Sequence, residues 1–281
     1  MTVIRTEKLL LDISELCKFQ SAVKIAAIHR EILCKPLKSL FPHASLEAIH
    51  YELIRNGLIT PNECEDLNSR VKELEEKNVW EIVQREYERL KVLWKGPEIS
   101  IYIYPLTKNR LKIDNIVPIK NGIAYRNALF LFVSTELDVM ELKALVAHEY
   151  HHICRLHIFN LSLEKVTLQD TLVLEGMAEY AVEEMYGDQF LSPWTKRYSL
   201  AESLIMWEEK FVGARFVTGI NNHRIFLYGN EGEGFPNWIG YCIGYHIVHS
   251  FQQNYGKLDT LQLLNRQTDV ILAHSNFLIK D

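Results

Sequence analysis

The sequence lacks the features that mark membrane-spanning and nucleic-acid-binding proteins. None of its apolar runs approaches the ~20 residues that a membrane helix needs, and the richest, NALFLFVS, has the length of a strand. Lys and Arg together number 31 against 36 Asp and Glu, and the net charge of −5 predicts no basic surface for nucleic acid. We therefore expect a globular chain with neither membrane nor nucleic acid among its partners.

Cysteine is scarce and widely spaced. The five cysteines are odd in number and form no CxxC pair, so free thiols in a reducing compartment are the simplest interpretation. They are Cys17, Cys34, Cys64, Cys154 and Cys242. The start, MTVIRTEKLLLDISELCKF, carries Lys, Asp and Glu where a secretory signal needs an unbroken apolar segment. The sequence predicts a cytoplasmic protein.

Helical patterns fill both ends of the chain. Residues 1–95 contain successive helical segments, of which SLEAIHYELIRNG begins at a candidate N-cap, Ser45, and ends at Gly57. Residues 191–281 show helical spacing again, including a helix from about 238 to 255. We predict a helical N-terminal region over 1–95 and a helical C-terminal region over 191–281.

Residues 96–190 combine strands with helices. EISIYIYPL alternates Ile with Ser or Tyr, which is typical of a strand, and NGIAYRNALFLFVS (121–134) joins an Asn-Gly turn to a β-prone run. Asp138 is a candidate start for a helix through LVAHEYHHICRLH, and a second helix fits 168–187. The predicted fold class is α+β and mostly helical, with residues 96–190 as its core region.

The segment LVAHEYHHICRLH, residues 145–157, has the spacing of a metal site. On a helix His148 and His152 lie one turn apart on one face, so both imidazoles can reach one ion at roughly 2.0–2.1 Å, the Zn–N distance. Glu149 is rotated by about 100° from His148, where a base can take a proton from a metal-bound water. His151 lies off this face, and we interpret it as a bystander or as a support for a ligand.

A third ligand decides the class of site. The extended metzincin pattern requires Gly and His at positions where this chain has Arg155 and Ile158, and His157 falls one residue short. LEGMAEY offers a carboxylate from a second helix, since Glu175 follows His152 by 23 positions. Two His and one Glu with an open fourth position form the catalytic kind of zinc site. The alternative for Glu175 is a solvated helix carboxylate.

The pair HEYHH and LEGMAEY resembles the gluzincins, whose third zinc ligand is the first Glu of an EGxAxY-like helix. The fuller set, with VIRT at the start and PNWIGYCIGYHIV, resembles the bacterial predicted Zn-dependent proteases of the YjaZ type. The resemblance implies a zincin-like fold, with a small mixed β-sheet packed on the HExxH helix. It also implies one Zn²⁺ ion held by His148, His152 and Glu175. Tyr241 is similar to the tyrosine that serves gluzincin aminopeptidases as oxyanion donor, with Tyr245 as the second choice.

Zinc-dependent peptide-bond hydrolysis by a Glu-activated, zinc-bound water is the predicted function. Glu149 and Tyr241 are the predicted catalytic residues, and a peptide or protein is the expected substrate. Two alternatives stay open: a metal-binding regulatory or interaction protein without turnover, and a zinc amidase that acts on small molecules. Glu149 argues against the first, because a purely structural site has no use for a base there. The GAMEN motif of gluzincin aminopeptidases is absent, so nothing marks an exopeptidase.

Two further expectations concern neighbours of the metal. The segment 121–134 should form the sheet edge along the cleft, with Asn127 and Ala128 facing the zinc, because an extended peptide can add as a strand. Glu179 follows Glu175 by one turn, about 6 Å along the axis, and is expected to accept from the outer nitrogen of a metal-bound histidine. The alternative for Glu179 is a surface carboxylate paired with a Lys or Arg.

Overall fold

The protein is mostly helical with one small sheet, as its computed structural model shows for residues 2–110 and 118–278. The sheet has three strands: β1 (Ser100–Pro105), β2 (Lys120–Tyr125) and β3 (Ala128–Val133). The α-helices of the described residues are α1 (Thr6–Leu16), α2 (Ala22–His29), α3 (Leu46–Asn56), α4 (Leu67–Glu76), α5 (Val79–Trp94), α6 (Val139–Ile158), α7 (Leu168–Tyr186), α8 (Leu200–Met206), α9 (Arg224–Tyr228), α10 (Ile239–Tyr255), α11 (Thr260–Leu264) and α12 (Thr268–His274). The predicted α+β class is confirmed at this level.

The sheet is mixed and has β3 at its centre. Its strand order is β1-β3-β2, with β1 parallel and β2 antiparallel to β3. All six residues of β3 are buried, which explains why this segment is a continuous apolar run rather than an alternating one. The residues of β2 are half-buried, and this strand forms one edge of the sheet.

Two details of the predicted strands are wrong. Asn121 and Gly122 lie inside β2 rather than in a turn, and the chain reverses just after Tyr125, which pairs with Ala128. The local Asn-Gly signal is overridden because pairing with β3 extends the strand through both residues. Ala128 begins the buried central strand, so the edge of the sheet is β2 and not the part of the segment around Asn127 and Ala128.

The chain divides into two compact units. The first contains Met1–Lys91 and Pro97–Glu149, and the second contains Val92–Gly96 and Tyr150–Asp281. The core of the first unit collects buried side chains from α1, α3, α4 and β3. The core of the second collects them from α7, α10, α11 and α12. The predicted division into three regions stays a prediction.

Helices α6 and α7 begin and end where the sequence indicates. Asp138 accepts hydrogen bonds at Oδ1 from the backbone N–H groups of Met140 (2.7 Å) and Glu141 (3.0 Å), which caps the start of α6. Thr167 and Asp170 form a capping box at the start of α7. Gly187 ends α7 with a φ of 100°, a conformation that favours glycine.

Two expectations drawn from composition also bear on the structure. Every cysteine is described, and each is a free thiol, as predicted. Within the described ranges, no helix combines the length and the apolar character needed to cross a bilayer. The cytoplasmic location stays a prediction.

Candidate metal centre

Helix α6 carries the histidine motif in its middle turns. His148 is half-buried, His152 is buried, and Glu149 between them is also buried. Helix α7 contributes Glu175, which is half-buried. One ligand atom each from His148, His152 and Glu175 lies within 4.8 Å of the other two. The structure thus brings together the three residues that the sequence singled out as ligands.

The separation of His152 and Glu175 fits two ligands of one ion. Nε2 of His152 lies 3.4 Å from Oε2 of Glu175. Two ligand atoms bound at roughly 2.0–2.1 Å in tetrahedral geometry would lie about 3.4 Å apart. The side chains are 9% and 14% exposed, so the pair is largely shielded from water. Glu175 is therefore not freely solvated, and its role as a metal ligand stays a prediction.

Close packing of α7 against α10 fixes the position of Glu175. A Cβ added to Gly176, the next residue, would lie 1.9 Å from the carbonyl oxygen of Gly244 in α10. A Cβ added to Gly244 would in turn lie 2.3 Å from the carbonyl oxygen of Leu172. Only glycine lets the two backbones approach this closely, so both positions are needed for the helix pair.

Strand β2 runs beside the first half of α6. The ammonium group of Lys120 forms a salt bridge with the carboxylate of Glu141. Two residues along the strand, a Cβ added to Gly122 would lie 2.4 Å from Cγ and Cδ of Glu149. The space that a side chain would occupy at position 122 is filled by the carboxyl group of Glu149. The sequence does not indicate this role, because Asn-Gly by itself favours a turn.

Glu179 is one of the least exposed acidic residues of α7. Glu179 is only 1% exposed. The carboxylate accepts hydrogen bonds from the backbone N–H of Ser192, at 3.0 Å, and from the Ser192 hydroxyl. The alternative of a surface carboxylate is therefore wrong. Its predicted role behind a metal-bound histidine stays a prediction.

The two candidate tyrosines differ in their surroundings. Tyr241 is 9% exposed and packs among aromatic rings, with its centroid 5.7 Å from that of Trp194 and 5.6 Å from that of Trp238. The hydroxyl of Tyr245 donates to Oε2 of Glu183 at 2.9 Å. Burial and the neighbouring Glu183 carboxylate raise the pKa of Tyr245. The Tyr245 hydroxyl is thus engaged by a carboxylate, and the predicted role of Tyr241 as oxyanion donor stays a prediction.

His151 packs inside the second unit. It is fully buried, and its ring stands edge-on to the indole of Trp94 with 5.4 Å between centroids. Tyr150 stacks on the same indole at 6.0 Å. These contacts place His151 in the core of the second unit, and its two interpretations, bystander or support for a ligand, both stay open.

Arg155 stands where the metzincin pattern would have glycine, and it is fully buried. Its guanidinium donates to the carbonyl oxygens of Leu264 (3.2 Å) and Arg266 (2.9 Å) and to the hydroxyl of Thr268 (3.1 Å). Burial lowers the pKa of Arg155 to about 10, an effect that the nearby Asp170 carboxylate opposes. These hydrogen bonds connect the last turns of α6 to residues 264–268, which run from the end of α11 to the start of α12.

A second group of ligand atoms lies wholly in the first unit. Cys17, His29 and Cys64 are all buried, and one ligand atom from each lies within 4.8 Å of the other two. This group is not apparent from the sequence, because its three residues are far apart in the chain and form no spacing motif.

The family model described as "Predicted Zn-dependent protease (DUF2268)" matches residues 79–273, which is more than half of the chain and includes both motif helices. The chain belongs to this family. The resemblance to the YjaZ type drawn from the sequence is thereby confirmed.

Two relatives come from Bacillus subtilis (strain 168). The chain is 35% identical to the protein YjaZ over 182 residues, which is 64% of this chain and 69% of the relative. It is 25% identical to the protein YjfC over 179 residues, which is 60% of this chain and 58% of the relative. The names of these relatives state no activity. No solved structure matches the chain.

Proposed function

We propose that the protein is a zinc metallopeptidase of the gluzincin type, with a zincin-like fold. In this proposal His148, His152 and Glu175 hold one zinc ion, and Glu149 is the general base. The observation that carries the proposal is the approach of three ligand atoms to within 4.8 Å of one another on α6 and α7. The family description, a predicted Zn-dependent protease, points to the same metal and the same reaction.

The donor set fits zinc by its chemistry. Two imidazoles and one carboxylate are ligands that zinc prefers, and three protein ligands leave a fourth position open, as in catalytic sites. When bound, the ion would polarise the substrate carbonyl and lower the pKa of a water molecule. The 3.4 Å between Nε2 of His152 and Oε2 of Glu175 supports this set, because it is close to the separation of two ligand atoms on one tetrahedral zinc ion.

Glu149 is the residue that accepts and returns the proton in this reaction. It follows His148 directly, so its carboxylate lies beside the ligands rather than among them. The residue is 9% exposed, and Gly122 leaves the room that its carboxyl group occupies. From this position the carboxylate takes a proton from the attacking water and returns it to the leaving amine.

Tyr241 supplies a hydrogen bond to the oxyanion that develops at the scissile carbonyl. Removing one such donor typically lowers kcat by ~10²–10³. We therefore expect Tyr241→Phe to lower kcat by that factor with little change in KM, and Tyr245→Phe to act mainly on stability. Equal kinetic effects of the two substitutions would remove the assignment.

A peptide is the substrate that the sheet favours. Strand β2 forms one edge of the sheet, and Gly122 in this strand contacts the proposed base. An extended peptide binds by adding a strand to such an edge, whereas a small amide gains nothing from it. This supports a peptidase over an amidase that acts on small molecules.

The test combines metal analysis with cleavage of an unbiased peptide library. Ala substitutions at His148, His152 and Glu175 should each remove the ion, whereas His157→Ala, at an exposed histidine of the same helix, should keep it. Glu149→Gln should keep zinc and fold but lose hydrolysis, because an amide cannot accept the proton. Zinc retained by Glu175→Ala, or cleavage retained by Glu149→Gln, would contradict the proposal. Zinc without cleavage of any peptide would favour the regulatory alternative.

A further inference from the structure

Three separate elements of the first unit bring Cys17, His29 and Cys64 together. Cys17 is the residue that caps the end of α1, and His29 is the last residue of α2. Cys64 lies in a 3₁₀ turn, Pro61–Asp66, that precedes α4. Their exposed fractions are 5%, 0% and 6%, so all three side chains point into the protein. Such a convergence of two thiols and one imidazole is the donor set of a soft-metal site.

We propose that Cys17, His29 and Cys64 form a second zinc site, with one coordination position open to an adjoining cavity. Nε2 of His29 lies 3.3 Å from Sγ of Cys64, and all three ligand atoms lie within 4.8 Å of one another. A nitrogen at roughly 2.0–2.1 Å and a sulfur at about 2.3 Å from one tetrahedral zinc would be about 3.6 Å apart. The ligand atoms of His29 and Cys64 therefore need to move apart by only a few tenths of an ångström.

His29 is held in a form that can bind metal. It is fully buried, and none of the described residues gives its Nδ1 atom a hydrogen-bond partner. The ring of His50 stands edge-on at 5.6 Å between centroids. Burial, together with the nearby His50, lowers the pKa of His29 to about 4. The imidazole is therefore neutral near pH 7, as a ligand must be.

The charges of the site balance when zinc is bound. Burial raises the pKa of Cys17 and raises that of Cys64 to about 12, so both are thiols when no metal is bound. Binding of Zn²⁺ forms two Zn–S bonds and releases two protons to solvent. The product, two thiolates and one neutral imidazole around a divalent cation, has no net charge. A buried position tolerates such a site at low cost.

A cavity supplies the entry path and the fourth ligand. It has a volume of about 600 Å³, and both Cys17 and Cys64 line it. Polar residues that line it include Gln20, Asn62 and Asn68. Water in this space can complete the coordination of the ion, and the ion can reach the thiols through it.

The second site is separate from the family's metal centre in the chain. All three ligands precede residue 79, where the match to the family model begins. The ion would cross-link α1, α2 and the 3₁₀ turn, and would close a loop between Cys17 and Cys64, which are 47 positions apart in the chain. The proposal does not depend on whether the first site binds zinc.

The test uses cobalt as a probe that reports sulfur ligands. In the full-length protein with Co²⁺, thiolate-to-cobalt charge transfer should appear in the near ultraviolet, which histidine and carboxylate ligands do not produce. The band should be lost in Cys17→Ser and Cys64→Ser. It should persist in Cys34→Ser, a matched control at another buried cysteine of the first unit, and in His148→Ala. Zinc content should fall by one equivalent per chain in each of the first two variants.

A second measurement covers the case in which the serine variants fail to fold. In the wild-type protein, zinc should protect two thiols from a cysteine reagent, and a chelator should restore their reactivity. Mass spectrometry should identify these thiols as Cys17 and Cys64. Absence of the charge-transfer band in the reduced wild-type protein would overturn the proposal. If Cys17 and Cys64 form a disulfide in air and bind no zinc under reducing conditions, the two cysteines are a redox pair and the proposed zinc site is refuted.

Discussion

Alanine at position 122 should separate the activity of the protein from its stability. The added Cβ would lie 2.4 Å from Cγ and Cδ of Glu149, whereas ordinary van der Waals contact begins near 3.4 Å. The carboxyl group of Glu149 must therefore withdraw by about 1 Å. Because Glu149 is a flexible side chain and the strand geometry of β2 suits alanine, this shift costs little folding free energy.

The expected loss of activity follows from that displacement. A misplacement of about 1 Å in a catalytic group lowers the rate by roughly 10²-fold, which corresponds to about 2.7 kcal/mol in the activation barrier. Replacing glycine by alanine in a permitted conformation also restricts the unfolded chain, which stabilises a protein by ~0.4–1 kcal/mol. The melting temperature of Gly122→Ala should therefore stay near the wild-type value while kcat/KM falls.

The assay compares three quantities in Gly122→Ala and a control. They are kcat/KM on a peptide selected from the library, zinc content, and the melting temperature. Gly213→Ala is the matched control, because an added Cβ there meets no atom within 4 Å. Wild-type kcat/KM in Gly122→Ala with zinc bound would refute the reasoning, since Glu149 could not then act from the position that it occupies. Loss of zinc together with activity would mean that the substitution disturbs the ligands.

Three further outcomes are expected. Glu179→Gln should weaken zinc binding, measured by competition with a chelator, by roughly 10- to 100-fold without unfolding the protein. An unchanged zinc affinity would refute the hydrogen bond predicted between Glu179 and a metal-bound histidine. Arg155→Ala leaves buried carbonyl oxygens without their donor, so urea unfolding should show a loss of about 3 kcal/mol, and a loss under 1 kcal/mol would contradict its role. Gly176→Ala forces the backbones of α7 and α10 apart at Gly244. This should lower the free energy of unfolding, measured by thermal unfolding, by roughly 1–3 kcal/mol and weaken zinc binding. An unchanged melting temperature would show that the two helices are not in tight contact.

Features with local causes were predictable from the sequence. The start of α3 at Ser45, whose hydroxyl accepts from the N–H of Ala48, and its end at Gly57, with a φ of 122°, depend on residues within one turn. The pair His148 and His152 depends only on helical spacing. Such signals are complete within a few positions, so one sequence suffices to interpret them.

Features that depend on distant pairing were not predictable. Gly122 lies in a strand because β2 pairs with β3, although Asn-Gly by itself favours a turn. Ala128 is central because β1, from another part of the chain, pairs on the far side of β3. The approach of Cys17 to Cys64 likewise depends on the packing of helices that the spacing of cysteines does not encode.

The backbone contact between α7 and α10 also determines how the second unit can move. Helices separated by side chains can slide on one another, because side chains change rotamer, but Gly176 and Gly244 leave no such layer between them. A shift of α10 by one residue would bring Ile243 or Tyr245 against the backbone of α7. Motions within the second unit must therefore carry α7 and α10 as one body.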